Sequence, residues 1–137
     1  MRVLGLDLGS VTCGISVSDA LGMIARPYQT LRFAADDYDD AFAQVSEVIA
    51  ELKTNTVVLG LPKHMNGDVG IRGEISIAFK QRLETLGVKV VLWDERLTTV
   101  AAEKILIAAD VSRKKRKKVI DQMAAVQILQ SFLDSNN

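Results

Sequence analysis

One acidic side chain, Asp7, interrupts an apolar run near the beginning of the chain, between Gly5 and Gly9. An ionised carboxylate is costly to bury unless a cation or hydrogen bonds compensate its charge. In a strand, Asp7 shares one face with Val3 and both glycines, and glycines at such places often mark the close approach of a ligand or backbone. We therefore expect Asp7 to be a functional carboxylate, with the capping of a turn as the alternative.

A second acidic pair, Asp94 and Glu95, follows an apolar run that ends in Trp93. Ligands bind open α/β sheets beyond the carboxyl ends of the strands. Alternation points the two carboxylates to opposite faces, so one of them is expected to join Asp7, and the spacing does not choose between them. The alternative is a solvated loop that contains an Asp–Arg pair.

The third carboxylate is Asp121, which shares a helical stripe with Ala125, Ile128 and Phe132. That stripe would face the sheet rather than water. The alternative is that Asp121 only complements the dipole at the start of a helix.

Three carboxylates at one edge of a sheet cannot all remain ionised without a cation. Hard oxygen ligands suit Mg²⁺ or Mn²⁺, and a chain with one cysteine and one histidine offers no zinc cluster. Two such ions could activate water and stabilise the leaving oxygen in phosphodiester hydrolysis. The pattern thus indicates a metal-dependent nuclease.

A basic run just before Asp121 indicates an anionic partner, although the net charge of the chain is zero. Cations at the beginning of a helix oppose its dipole, so an external anion such as a nucleic-acid phosphate would explain them. The alternative is a solvated surface face. Lys63 and Arg72, in a predicted loop, could also contact the substrate. The run consists of Arg113, Lys114, Lys115, Arg116, Lys117 and Lys118.

The order of elements would bring these residues together. Two short turns separate the first three strands, which must therefore be antiparallel, whereas the later strands alternate with helices and should be parallel. The fold class is thus α/β, a five-stranded mixed sheet flanked by about four helices. The predicted strands are 2–8, 14–18, 23–31, 56–60 and 88–93. The predicted helices are 37–53, 73–86, 98–109 and 117–133, and residues 61–72 are predicted to form a loop.

Length and composition favour one ordinary globular domain, residues 1–137. No stretch approaches the roughly 20 apolar residues of a membrane span, so no membrane partner is expected. A lone cysteine, Cys13, fits a reducing cytoplasm. The oligomeric state is not predicted.

Taken in order, the motifs resemble those of the YqgF/RuvX family over essentially the whole chain. The family is described as pre-16S rRNA nucleases and, earlier, as Holliday junction resolvases, with an RNase H-like fold. The motifs are Gly5-Leu-Asp7-Leu-Gly9-Ser10, Ser18-Asp19, Gly60-Leu-Pro62, Asn66-Gly67, Asp94-Glu-Arg-Leu-Thr98 and Ile120-Asp121-Gln-Met-Ala124-Ala125.

The resemblance implies that Asp7, Glu95 and Asp121 are the catalytic, metal-binding acids, and so selects Glu95 over Asp94. It also implies a central first strand, a cytoplasmic location and a role at the 5′ end of small-subunit rRNA. The implied partners are structured RNA such as pre-rRNA, or branched DNA, and the small ribosomal subunit.

One departure from the family keeps other functions open. The family usually has Lys-Arg where this chain has Thr12 and Cys13. A non-catalytic RNA-binding factor for ribosome assembly is therefore an alternative. A Holliday junction resolvase is another, as in the earlier description of the family. A nucleotide-binding protein is a further one, because the segment from Asp7 to Ser10 is also similar to the phosphate loop of actin and sugar-kinase ATPases.

Overall fold

The structure is a computed structural model that describes residues 2–62, 69–94 and 113–135, with residues 113–122 described by their backbone alone. Five strands form one sheet, in the order β3-β2-β1-β4-β5. The first three are antiparallel neighbours, and β4 and β5 run parallel to β1. The strands are β1 Val3–Leu8, β2 Thr12–Ser18, β3 Ala25–Arg32, β4 Thr56–Leu61 and β5 Lys89–Asp94.

This topology confirms the predicted mixed sheet and the central position of the first strand. The predicted turn after β2 is present, and Gly22 adopts a φ of 69° there. Gly87 likewise has a φ of 86° after the second helix, a backbone conformation that glycine adopts at little cost.

Three helices lie in the described residues: α1 Tyr38–Leu52, α2 Ile71–Glu84 and α3 Arg113–Ser135. The Asp37 side chain caps α1 by accepting a hydrogen bond from the Asp40 N–H, a usual role for aspartate. The predicted helix over 98–109 lies outside the described residues.

Two boundaries differ from the prediction. The α2 helix begins at Ile71, so Arg72 belongs to its first turn and not to a loop. The α3 helix begins at Arg113, four positions before the predicted start at 117. The beginnings of these two helices could not be located from apolar periodicity. Glycines surround the first segment, and basic residues fill the second.

The two faces of the sheet carry separate clusters. On one face, Leu4, Leu6 and Leu8 of β1 pack in the main core with residues of α1 and α2. On the other, Val3 and Val58 pack against α3. The alternation along β1 therefore places Asp7 on the α3 face. Among the described helices, none is long and apolar enough to cross a membrane.

Candidate active site

Asp7 is a half-buried residue on the central strand, one position before its end. Across the antiparallel pair, its partner is Gly14. On the other side, β1 and β4 pair through Leu6 and Leu59, and one further step along this parallel register reaches Gly60. Because lateral neighbours share a face, glycines flank the carboxylate on both adjacent strands. On the face of the sheet that carries Asp7, the positions beside it on both neighbouring strands therefore have no side chain.

The space beside Gly5 is occupied by side chains and by the backbone of α3. A Cβ atom on Gly5 would lie 2.3 Å from Ser16 Oγ and 2.8 Å from Leu129 Cβ. The Ser16 hydroxyl also donates to the Ala125 carbonyl oxygen at 2.7 Å. Gly5 therefore permits the close approach of α3, which is the second of the two expected roles of this glycine, the approach of a ligand or of backbone.

The contacts between α3 and β1 define the backbone position of Asp121 relative to Asp7. Gly5 contacts the helix at Ala125 and Leu129, whereas Val3 packs with the cluster that includes Leu133. Moving along β1 towards Asp7 therefore means moving towards the beginning of α3. Asp121 lies one turn before Ala125, about 6 Å of helix, and Asp7 lies about 6.6 Å beyond Gly5 along the strand. The two acidic positions are thus carried to the same end of the sheet.

Asp121 lies eight positions after Arg113, where the helix begins. It is therefore beyond the first turn, in which a carboxylate complements the dipole most effectively. This weakens the alternative that Asp121 merely complements the start of the helix.

The register of β5 separates Asp94 from Asp7. Asp94 pairs laterally with Leu61, whose side chain lies beside Gly73 of α2. Asp94 therefore occupies the α1/α2 face, opposite to Asp7. Its neighbour Glu95 lies outside the described residues, so its place in the acidic group stays a prediction.

One of the predicted metal ligands, Asp7, has a described side chain at this edge. Asp7 supplies carboxylate oxygens, the ligands that Mg²⁺ and Mn²⁺ prefer, and glycines give access on both sides. Within the described part of the chain, no group of three His, Cys, Asp or Glu residues could hold a metal ion. Two of the three predicted ligands, Glu95 and the Asp121 side chain, are outside that part.

The residues predicted to contact nucleic acid are described by the structure to different extents. The Arg113–Lys118 run forms the first turns of α3, with backbone positions described and side chains not, and Lys63 lies outside the described residues. Arg72 donates hydrogen bonds to the Tyr38 hydroxyl at 2.9 Å and to the Leu8 carbonyl at 3.2 Å. Sequence reasoning missed this internal role of Arg72, because its partners are far away in the chain.

Trp93 is engaged by the protein rather than presented for stacking on a base. Its indole N–H donates to Ser131 Oγ at 3.0 Å, and its ring meets Phe132 edge-on. The Trp93 ring therefore packs against α3.

Cys13, at the position where the family usually has a basic residue, is fully buried on the α1/α2 face. Burial raises the pKa of its thiol, and the negative charge of Asp7 raises it further. A thiol of this kind is not a nucleophile, because the thiolate is the reactive form.

We predict that Cys13 resists modification in the folded protein. At pH 8, a chromogenic disulfide reagent should label no thiol in native protein and one thiol per chain in urea, the chain having a single cysteine. Rapid labelling of native protein would contradict the burial and raised pKa of this side chain.

Comparisons with known proteins agree over the length of the chain. The model of a family described as "RuvX: Holliday junction resolvase" matches residues 1–135. Two curated relatives are named "Putative pre-16S rRNA nuclease": that of Bacillus pumilus is 55% identical and that of Bacillus subtilis 56% identical. Each match covers 100% of this chain and 100% of the relative.

Among solved structures, the fold is similar to that of T. thermophilus RuvC in complex with a Holliday junction substrate. The TM-score is 0.63 at 14% sequence identity, and the match covers 99% of this chain and 95% of the other. At this identity the likeness concerns the fold, and it agrees with the RNase H-like architecture that the sequence motifs imply.

Proposed function

The chain belongs to the RuvX family of nucleases, and on that premise we propose that it hydrolyses phosphodiester bonds with bound divalent metal and processes the 5′ end of pre-16S rRNA. The single observation that carries this proposal is the placement of Asp7. It is a half-buried carboxylate on the central strand, between two glycines, at the end of the sheet towards which the Asp121 position is also directed.

In this proposal, Asp7, Glu95 and Asp121 hold Mg²⁺ or Mn²⁺, and two such ions, when bound, supply water activation and neutralise charge at the leaving oxygen. Asp7 contributes an oxygen ligand from a strand bonded on both sides, so its position is well defined before substrate arrives. Gly14 and Gly60 contribute room, since a side chain at either position would stand beside the carboxylate. A phosphate could then approach Asp7 across the sheet.

The choice of pre-16S rRNA as substrate rests on the relatives. Two chains more than half identical over their full length carry that activity in their names, whereas the likeness to a junction resolvase is at 14% identity. Branched DNA remains the second candidate, since the family description itself names Holliday junctions. We place the protein in the cytoplasm, acting on precursor particles of the small ribosomal subunit.

The basic run is proposed to bind the phosphates of the substrate. The helix backbone begins at Arg113, so the run surrounds the positive end of the helix dipole. Clustered cations at this end of a helix are repelled by the dipole, and a bound anion would offset that repulsion.

We predict that Lys114→Gln/Lys115→Gln weakens RNA binding in a salt-dependent manner. Each lost phosphate contact should lower the slope of log affinity against log salt by about 0.7 for single-stranded RNA. Fluorescence anisotropy between low and physiological salt measures that slope. Lys53→Gln/Lys89→Gln is the matched control, because it removes the same charge from the amino end of β4 and β5. Equal slopes for both double variants would contradict the assigned role.

Cleavage assays on two substrates test the proposed function. Purified protein is given a pre-16S rRNA 5′ leader or a four-way DNA junction, each with Mg²⁺, Mn²⁺ or EDTA. We expect metal-dependent cleavage of the RNA. Cleavage of the junction alone would favour the resolvase activity, and salt-sensitive binding of RNA without any cleavage would favour an assembly factor.

A further inference from the structure

The residue expected to donate a backbone hydrogen bond to the last carbonyl of the central strand is a proline. The Gly9 N–H donates to the Thr12 carbonyl in β2. Neighbouring residues of a strand direct their backbone groups to opposite sides, so Leu8 faces β4. The parallel register continued from Leu6 and Leu59 makes residue 62 the expected donor to the Leu8 oxygen. That residue is Pro62, which has no N–H.

Arg72 supplies this donor from another element. Its Nη2 donates to the Leu8 carbonyl oxygen at 3.2 Å. The helix that carries Arg72 lies close to the end of β4. A Cβ added to Gly73 would lie 2.9 Å from the Pro62 oxygen. A side chain therefore replaces the missing ladder bond immediately after Asp7.

The guanidinium is itself held by a series of hydrogen bonds that leads to Ser10, in the turn after β1. Arg72 Nη1 donates to the Tyr38 hydroxyl at 2.9 Å, and that hydroxyl donates to Asp36 Oδ1 at 3.1 Å. The Asp36 N–H donates in turn to the Ser10 carbonyl at 2.8 Å. Asp36 has a φ of 59°, a left-handed conformation that aspartate tolerates better than most residues. We call this series, Leu8–Arg72–Tyr38–Asp36–Ser10, the strand clamp.

The strand clamp holds Leu8 and Ser10, the residues on both sides of Gly9. Among the described residues, the other backbone bonds of the segment after Asp7 run from Gly9 to β2 and from Phe33, the residue after β3, to Val11. A functional carboxylate must be held within about 0.5 Å of its working position, and its supporting contacts decide whether it is.

We propose that Arg72 is a positioning residue for Asp7, acting through the strand clamp rather than by contact with nucleic acid. The inference rests on the proposed nuclease function. In this view, contacts from α2 and from the loop before α1 fix the position of the end of the central strand. The planar guanidinium is required, because one fork must reach two acceptors in different directions.

Steady-state kinetics of Arg72→Lys, Arg72→Gln and Tyr38→Phe on the RNA leader test this role. Misplacing an outer-shell partner of a metal site usually costs 10–100-fold, so kcat should fall at least about tenfold in both Arg72 variants while KM changes little. Tyr38→Phe should lower kcat as well, although it removes no charge. The double variant Arg72→Gln/Tyr38→Phe should be no worse than Arg72→Gln alone, because both residues act in one series.

Arg82→Gln is the matched control, since it removes another arginine of α2 that is bonded to a surface carboxylate, Asp39. It should leave kcat unchanged. A raised KM in the Arg72 variants, with recovery by lysine and a weaker dependence on salt, would overturn the proposal in favour of direct phosphate contact. A lowered melting temperature with unchanged kcat would overturn it in favour of a purely structural role.

The missing donor can also be restored. Pro62→Ala provides an N–H where the β4 ladder needs one, so Arg72→Gln/Pro62→Ala should recover part of the kcat lost in Arg72→Gln. No recovery would contradict the view that Arg72 replaces the ladder bond.

Hydrogen exchange separates failure of this inference from failure of the proposed function. Wild-type protein that cleaves neither substrate would overturn the nuclease. The clamp would still be tested, because the Asp36 amide should exchange faster in Arg72→Gln than in wild type or Arg82→Gln. Equal exchange in all three proteins would overturn the clamp, whatever their activity.

Discussion

Asp7→Asn should abolish cleavage while leaving the fold intact. The substitution keeps the size of the side chain but removes the charge that we propose as a metal ligand. A divalent ion contributes several kcal/mol to the stabilisation of charge in such reactions, and about 1.4 kcal/mol corresponds to a tenfold change in rate. We therefore expect the rate constant for cleavage of the RNA leader to fall by about 10³-fold or more. It is measured under single-turnover conditions with saturating Mg²⁺.

Stability and binding distinguish this outcome from damage to the protein. Asp7→Asn should still unfold in one cooperative transition in urea, because asparagine keeps the size and shape of the aspartate side chain. RNA affinity should persist, since the proposed phosphate contacts lie on α3. Asp39→Asn is the matched control, because Asp39 is almost fully exposed and pairs with Arg82 on the surface. Retained cleavage by Asp7→Asn would refute the catalytic role of this carboxylate.

Gly5→Ala should cause a large loss of stability although it adds a single methyl group. The new Cβ would lie 2.3 Å from Ser16 Oγ, 2.8 Å from Leu129 Cβ and 3.1 Å from the Ala125 oxygen. Rotation of Ser16 relieves only the first contact, because a Cβ atom and a helix carbonyl cannot move without moving α3. Overpacking of this kind costs typically about 1–3 kcal/mol, occasionally more, and we expect the upper part of that range in urea unfolding.

Activity should fall together with stability in Gly5→Ala, since moving α3 away from β1 also moves the Asp121 position away from Asp7. Gly22→Ala provides the contrast. Apart from its two chain neighbours, no atom of the described residues lies within 4 Å of the new methyl group. Only the left-handed backbone is then penalised, by about 1–2 kcal/mol, and cleavage should be unaffected. A Gly5→Ala protein as stable and active as wild type would contradict the close approach of α3.

The sequence was sufficient for what depends on neighbouring residues. Alternation in the first strand predicted that Asp7 shares a face with Val3 and Gly5, and the short turns predicted the antiparallel strands. Both follow from local geometry, and both are confirmed. The last helix was also expected, because Ala125, Ile128 and Phe132 recur at helical spacing.

Register and distant partners could not be predicted from one chain. The absence of side chains beside Asp7 depends on its pairing with Gly14 and on the β1–β4 register, which brings Gly60 next to it when continued by one residue. The separation of Asp94 from Asp7 depends on the alignment of β5 with β4. Arg72 appeared to belong to a loop because glycines surround it, and its bond to Leu8 exists only once α2 packs against the end of the sheet. Each of these features arises from tertiary packing, which no local pattern encodes.

The central claim is tested most directly by mapping the product of a single reaction. A pre-16S rRNA 5′ leader is incubated with wild-type protein and Mg²⁺, and with EDTA in parallel, and the new 5′ ends are identified by primer extension. The account predicts one discrete cut at the mature 5′ end of the small-subunit rRNA with Mg²⁺ and none with EDTA. Cleavage that is unaffected by EDTA, or intact RNA bound by fully folded protein in both conditions, would contradict it.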